Sequence, residues 1–269
     1  MQKVDSTEAL AALLDAQLRR GVRTNNFLTA ADYGREMKTG LWVQASGDAL
    51  CMFRDRKTHY ILNFYLQPGT SLNLPNLDKP IVTELPYRPK DAAAMLATAE
   101  DFCALGFREV LRRTRRTRPA SPAAAVPQAA PQAWRCHAAP LCRKSAADEF
   151  LKQAFSAYTG CLPTEDTLAA ALDAGQILCA EDAHGICGLL HFAPGRAASE
   201  IRHLAVREDC RRRGVASALF DAYLAETGGQ KSLVWATTGN IAAEHFYETH
   251  DYRPDGWNSV VLQYGGTEQ

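Results

Sequence analysis

The sequence predicts two tandem α/β domains of mixed, α+β type, and three observations predict it. Strand-period and helix-period segments alternate along the chain. A stretch made almost wholly of Ala, Pro and Gln interrupts them midway. A short motif recurs toward the end of each half, Ala99-Glu100-Asp101-Phe102-Cys103 and Ala243-Glu244-His245-Phe246-Tyr247.

The interruption runs from Arg118-Pro119-Ala120-Ser121-Pro122 to Pro131-Gln132-Ala133. It has no apolar periodicity to fix it against a core, so 118–139 reads as a linker. The flanking pieces, 1–117 and 140–269, are each of a size that folds alone.

The second piece reads in order α-α-β-β-β-α-β-α-β. Helical spacing covers 147–158 and 164–174, with Gly175 as a stop. Apolar runs at 177–180 and 186–192 flank the hairpin punctuation Glu181-Asp182-Ala183-His184-Gly185. Glu200 to Val206 is another strand; strict alternation puts Ile201, His203 and Ala205 on one face and Glu200, Arg202, Leu204 and Val206 on the other. Val215, Ala218, Leu219, Ala222 and Ala225 mark an amphipathic helix that Gly228-Gly229 ends. A strand at 232–237, a helix at 241–250 and a strand at 257–264 complete the set. In the first piece, 41–44, 50–53, 60–65 and 81–85 read as strands.

Composition excludes several classes. Apolar residues make up 46% and charged residues 22%, with 30 basic against 30 acidic side chains, so nothing draws the chain in bulk to nucleic acid or an anionic membrane. The N-terminus has no apolar h-region, and no apolar run approaches the roughly 18 residues of a membrane span. A cytoplasmic protein is expected, with no membrane or nucleic-acid partner. The eight cysteines lack C-x-x-C pairing and read as reduced thiols. Cys136, His137 and Cys142 lie at a linker without a second ligand pair, so no metal is expected. The run Arg112-Arg113-Thr114-Arg115-Arg116-Thr117-Arg118 reads as a solvated strand edge rather than a phosphate contact.

The chemistry-bearing motif is Arg211-Arg212-Arg213-Gly214-Val215-Ala216, an R-x-x-G-x-A loop between a strand and a helix. The free N–H groups of a helix's first turn and its positive dipole end converge on one spot, and small residues let a pyrophosphate approach the backbone.

With Leu204-Ala205-Val206 before that loop, and Asn240 and Ala243-Glu244-His245-Phe246-Tyr247 after it, residues 140–266 resemble the GNAT superfamily of acyl-CoA-dependent N-acyltransferases. The resemblance implies a central sheet splayed between two strands where a pantetheine arm lies. The backbone of Leu204, Ala205 and Val206 would hold that arm. The amides of Arg211, Arg212, Arg213, Gly214, Val215, Ala216 and Ser217 would hold the pyrophosphate. Asn240 and Phe246 are placed with the cofactor, Asn240 having an equal reading as a helix N-cap. Tyr247 matches the tyrosine that protonates the leaving thiolate. Glu200 matches the strand position of a base that acts through water, with a solvated strand carboxylate as its even alternative. Arg202 reads as an ion-pair partner near Glu200.

The implied activity moves acetyl from acetyl-CoA to a primary amine of a small molecule or peptide, by direct attack in a ternary complex. A non-catalytic acyl-CoA-binding sensor or interaction module is the alternative. The first half lacks the R-x-x-G-x-A loop and has Cys103 where Tyr247 stands. It reads as a degenerate GNAT-like copy that binds no acyl-CoA, covers the open side of the catalytic sheet and shapes the acceptor pocket. A monomer that is a pseudo-dimer of its halves, or a homodimer, is expected.

Overall fold

The computed structural model describes residues 1–121 and 134–266. In chain order they form β1 (Gln2–Lys3), α1 (Thr7–Asp15), β2 (Arg23–Thr24), α2 (Ala30–Thr39), β3 (Leu41–Ser46), β4 (Ala49–Arg56), β5 (His59–Leu66), β6 (Ile81–Tyr87), α3 (Ala92–Ala104) and β7 (Arg108–Arg118). Then come β8 (Cys136–Ala138), α4 (Lys144–Ala154), α5 (Glu165–Asp173), β9 (Ile177–Asp182), β10 (Gly185–Ala193), β11 (Ser199–Val206), α6 (Val215–Glu226), β12 (Ser232–Thr237), α7 (Ile241–Thr249) and β13 (Arg253–Tyr264). No helix among the described residues is long and apolar enough to cross a membrane.

Two helices, α1 and α2, stand where no element was expected, and both carry start signals. Ser6 caps α1 by accepting from the Ala9 amide at 3.2 Å. Thr29 and Asp32 close a capping box on α2. Helix α4 starts earlier than its periodicity suggests, because a 3₁₀ turn after Pro140 runs straight into it.

The chain divides into two compact units, Met1–Arg113 with the stretch from Trp257 on, and Thr114–Gly256. The division differs from the one composition suggests, and the cause is strand pairing: Asn258 to Tyr264 run antiparallel to Tyr87 to Ile81 of β6. Most of β13 therefore completes the first unit's sheet. The Ala/Pro/Gln stretch lies outside the described residues over 122–133. Its two ends are tied to the second unit, through Ser121 N–H to Gly229 O at 2.8 Å and Trp134 Nε1–H to Arg213 O at 2.9 Å.

In the first unit the strand order is β1-β3-β4-β5-β6-β13. Phe102 and Ala99 of α3 pack with Phe53, Leu62, Phe64 and Leu85 on one face. Leu10 of α1 and Tyr33 of α2 pack with Leu41, Leu50 and Met52 on the other.

Strands β5 and β6 are parallel and stay in register for only two pairs, Tyr60↔Ile81 and Ile61↔Val82. Past that point they part, and the chain fills its own gap. β2 adds to β5 through Arg23↔Leu66 and Thr24↔Tyr65. The Asn25 amide nitrogen then donates to Leu62 O (3.1 Å), Thr83 Oγ1 (2.9 Å) and Glu84 O (3.0 Å), while its oxygen accepts from Phe64 N–H (2.9 Å). One buried side chain thus satisfies backbone on both parted strands.

The arginine run of β7 is not a solvated edge. Arg116 and Arg118 are buried; Arg116 pairs with Glu248 at 3.0 Å, and Arg118 donates to Ser121 Oγ at 2.6 Å. Arg113 pairs with Glu84 at 2.6 Å. Alternation was read correctly, but carboxylate partners far along the chain turn the charges inward.

Removing the Asn25 wedge takes a hydrogen bond from Glu84 O and from the buried Phe64 amide, while Leu62 O and Thr83 Oγ1 keep their bond to each other at 3.0 Å. Asn25→Ala is expected to lower stability by about 2–3 kcal/mol in urea denaturation, whereas Asn26→Ala, which frees two tyrosine hydroxyls and the Leu28 amide at a part-buried site, is expected to lose less.

Candidate active site

The second unit orders its strands β7-β12-β11-β10-β9-β8. Val215, Leu219, Phe220 and Tyr223 of α6 and Tyr247 of α7 pack on one face with Leu190, Phe192, Ile201 and Val234. Ala147 and Leu151 of α4 and Leu168 and Leu172 of α5 pack on the other with Ile177, Cys179 and Leu189.

Strands β11 and β12 are the only parallel pair described within this unit, and their register holds for Ser199↔Ser232, Glu200↔Leu233 and Ile201↔Val234. Arg202 to Val206 have no partner in β12 among the described residues. On their other side they remain paired to β10 through Gly188↔Val206, Leu189↔Ala205 and Leu190↔Leu204. The result is a wedge-shaped opening flanked by Leu204, Ala205 and Val206, with a backbone edge that has hydrogen-bonding capacity to spare.

The loop after Val206 leads directly into α6. Arg212 and Gly214 both adopt left-handed conformations, φ +59° and +82°. Gly214 is the N-cap and offers no side chain to the first turn. Within α6 the first cap bond is Ala218 N–H to Gly214 O at 3.0 Å, and the amides of Arg212, Arg213, Gly214, Val215, Ala216 and Ser217 donate to no acceptor among the described residues. Such successive unpaired N–H groups at a helix start make an anion cradle. Arg211, Arg212 and Arg213 are all exposed around it. Arg213 also lies over the Trp134 ring at 5.2 Å.

Gly188 is what lets this helix start sit so close to the sheet. A Cβ there would meet Val215 Cγ1 at 2.5 Å and Leu219 Cδ1 at 2.9 Å. Gly214 has open space around it, so its requirement is the positive φ alone. Arg207 braces the base of the loop, bonding Asp209 Oδ1 at 2.7 Å, Asp182 Oδ2 at 2.5 Å and Cys210 Sγ at 3.3 Å. This guanidinium holds the Asp182 carboxyl down to about 2. Asp182, Cys187 and Cys210 lie within 4.8 Å of one another, a spacing that would suit a metal. Burial pushes the Cys187 thiol up to about 12, and Arg207 already supplies the local positive charge, so the group is built as an ion-pair anchor.

A β-bulge reshapes β11. The register with β10 steps from His191↔His203 to Phe192↔Ile201, so Arg202 is an extra residue. Strict alternation therefore fails: Ile201, Leu204 and Val206 all pack toward α6. Ser199 faces α6 too, since its hydroxyl bonds that of Tyr223. Glu200 thus lies on the opposite face, and the bulge brings His203 to Glu200's face instead of away from it. Glu200 pairs with Arg202 at 3.4 Å and keeps a third of its side chain in solvent.

His203 and His191 are both buried on that face. Their Nδ1 atoms are 3.1 Å apart and the rings stack at 5.3 Å. His203 Nε2 lies 2.8 Å from Gly160 O, which only accepts, so Nε2 carries the proton. His203 Nδ1 then accepts from His191 Nδ1–H. The pair ties the α4–α5 connection to the sheet, with Phe155 packed against the His203 ring at 4.9 Å. Burial first, then His203 and Arg202, drive His191 down to about 3.

On the α6 face, Tyr247 packs against Phe246 and Tyr252 with ring centres 5.4 and 5.3 Å away. Burial raises its pKa, so the phenol stays protonated. Tyr252 bonds Ser232 Oγ at 2.6 Å and Tyr223 bonds Ser199; the Tyr247 hydroxyl has no hydrogen-bond partner among the described residues. Asn240 caps α7, its side-chain oxygen accepting from Ala243 N–H at 3.1 Å. Phe246 is half-buried between Phe220 and His250.

A sheet parted between two parallel strands, with a bare helix start beside the opening, is a geometry that suits an extended, phosphate-bearing ligand. Residues 173–254 match the family model of an acetyltransferase (GNAT) domain. The second unit therefore carries a GNAT acetyltransferase domain, and the enzyme class is acyltransferase. Among solved structures, a GCN5-related N-acetyltransferase from Sphaerobacter thermophilus is similar at 14% identity and TM-score 0.59, covering 97% of this chain and 93% of its own. A tandem GNAT protein from the clavulanic acid biosynthesis pathway aligns at 13% identity and TM-score 0.58, over 99% of both chains. A GNAT-family acetyltransferase from Colwellia psychrerythraea aligns at 12% identity and TM-score 0.53, over 98% of this chain and 99% of its own. These likenesses show the fold, a tandem GNAT arrangement over the whole chain. Comparison with curated protein sequences gives no match.

Two expectations follow. Gly188→Ala is expected to overpack the α6 contact, lowering stability by about 1–3 kcal/mol in thermal denaturation and weakening any ligand held at the helix start. His191 has a folded pKa of about 3, below its unfolded value near 6.5, so its contribution is complete above pH 6.5 and is lost as pH falls toward 3. Between pH 7 and 5 that loss is about 2 kcal/mol. Denaturation of the parent and of His191→Asn at both values checks it, since the variant is expected to show a flatter dependence.

Proposed function

We propose that this protein is an N-acetyltransferase that moves an acetyl group from acetyl-CoA to a primary amine of a small molecule or peptide. The observation that carries the reading is the opening between β11 and β12, bordered by the unpaired amides of Arg212 to Ser217. A pantetheine arm fits such an opening as an added strand would, along the edge of Leu204 to Val206, where it would take the place of the Arg211 Nε–H that now reaches Val206 O at 3.2 Å. A pyrophosphate fits the amides, with Arg211, Arg212 and Arg213 adding charge at the mouth. Asn240 acts by capping α7 and so setting the position of Tyr247, and Phe246 packs the α6 side of the same wall.

The two faces divide the chemistry. The amine nitrogen attacks the thioester carbonyl from the Glu200 face, the N–C bond forms and the C–S bond breaks. The proton lost by the amine passes to Glu200, through water. The departing thiolate takes a proton from Tyr247 on the α6 face, whose hydroxyl has no competing partner. Return of a proton from Glu200 to Tyr247 through solvent restores both groups, and the products are the amide and CoA thiol.

In the first unit the equivalent gap already holds β2 and Asn25, and the chain runs from β5 to β6 through 67–80 without a helix start. One acetyl-CoA per chain is therefore expected by isothermal titration calorimetry. The eight cysteines, none of them in a disulfide, fit a cytoplasmic protein.

Tyr247→Phe and Glu200→Gln are each expected to lower turnover by about 10²-fold or more, measured as thiol release, with the acetyl-CoA dissociation constant within about threefold of the parent. Parent-like turnover in both variants would overturn these two catalytic roles, and acetyl-CoA binding without any thiol release by the parent would leave an acyl-CoA binder.

A further inference from the structure

The transferase reading leaves the acceptor open, and the face on which Glu200 stands narrows it. Glu200 is in register with Leu233 across the parallel pair, so their side chains leave the sheet on the same side. Trp235 follows on that side by alternation, because Val234 and Ala236 between and after them pack toward α6. Ile201↔Val234 is the last pair in register, which makes Trp235 the first β12 residue on the lip of the opening with its side chain on the Glu200 face. Both Leu233 and Trp235 are half-buried, keeping apolar surface available to solvent.

The indole is held in place. Arg115 lies over it with its guanidinium carbon 5.8 Å from the ring centre. Asp255 fixes Arg115 through contacts of 2.8 Å to Nε and 2.6 Å to Nη2. A ring braced in this way loses little freedom when a ligand lies against it, which favours affinity. The charge on this face is matched as well. Arg115 is neutralised by Asp255, and Arg202 is paired with Glu200. An acceptor carboxylate or phosphate would have to displace an existing partner, so this face disfavours anionic acceptors such as free amino acids.

We infer that the acceptor is a primary amine on an apolar or aromatic body, with Leu233 and Trp235 as the platform that selects it. The amine sits beside Glu200 and the opening; the body lies over Leu233 and the indole. The inference depends on acetyl transfer at this site, and the test separates the two.

Thiol release from acetyl-CoA by the full-length protein is measured with 2-phenylethylamine and with ethanolamine, primary amines that differ in their bodies. kcat/KM is expected to favour 2-phenylethylamine by at least about tenfold, the scale of one aromatic contact. Trp235→Ala is expected to reduce that preference by about tenfold, Trp235→Phe to keep most of it, and acetyl-CoA binding by calorimetry to report that both variants are folded. Equal use of the two amines, or a preference that Trp235→Ala leaves untouched, overturns the acceptor class while leaving the transferase reading standing. Absence of thiol release with every amine, in a protein that binds acetyl-CoA, overturns both.

Discussion

Two parallel strands that stay in register for three residues and then part, β11 and β12, set the terms for the second unit. A buried strand edge without partners is unfavourable, because each unpaired N–H or C=O forgoes a hydrogen bond that water would have supplied. Such an edge persists where solvent or a ligand supplies the missing partners. The first turn of α6 repeats the situation, with amides from Arg212 to Ser217 unspoken for. Gly188 brings that helix start down onto the sheet beside the opening, so both sets of unmet donors lie close together.

The same constraint explains how the two units differ. In the first, β5 and β6 also part, after two pairs, but Asn25 and β2 supply what the edge lacks. Equivalent backbones have thus been resolved in two ways, by a covalent segment of the chain and by an opening. The first unit has neither the glycine loop nor an open gap between its parted strands.

The opening also sorts side chains by face. Tyr247 is on the α6 side and Glu200 on the α4 side, so a thioester between the strands would have proton donor and acceptor on opposite sides. The bulge at Arg202 adds His203 to the Glu200 face, where it pins Gly160 through its Nε2–H and is itself held by His191. Leu233 and Trp235 continue that face beyond Glu200. On that face the charges of Arg115 and Arg202 are paired with Asp255 and Glu200, and Arg115 lies over the Trp235 ring.

Local patterning determined a good deal of this protein. Apolar periodicity and glycine stops placed every strand and helix from 177 to 264, and the R-x-x-G-x-A loop located the bare helix start, because both depend on near neighbours in sequence. The helices α1 and α2 had legible caps at Ser6 and Thr29, a signal that was there to be read. Other features had none. The Arg202 bulge is a mismatch between two strands and exists only in their pairing, so alternation along β11 alone put His203 on the wrong face. The buried Arg116 of β7 depends on Glu248, 132 residues away in the chain. Nothing around Arg23 to Asn25 announces a two-residue strand that closes a gap formed by residues 60–84. Pairing register, long-range charge neutralisation and the filling of gaps are relations between segments, and only the folded chain brings those segments together.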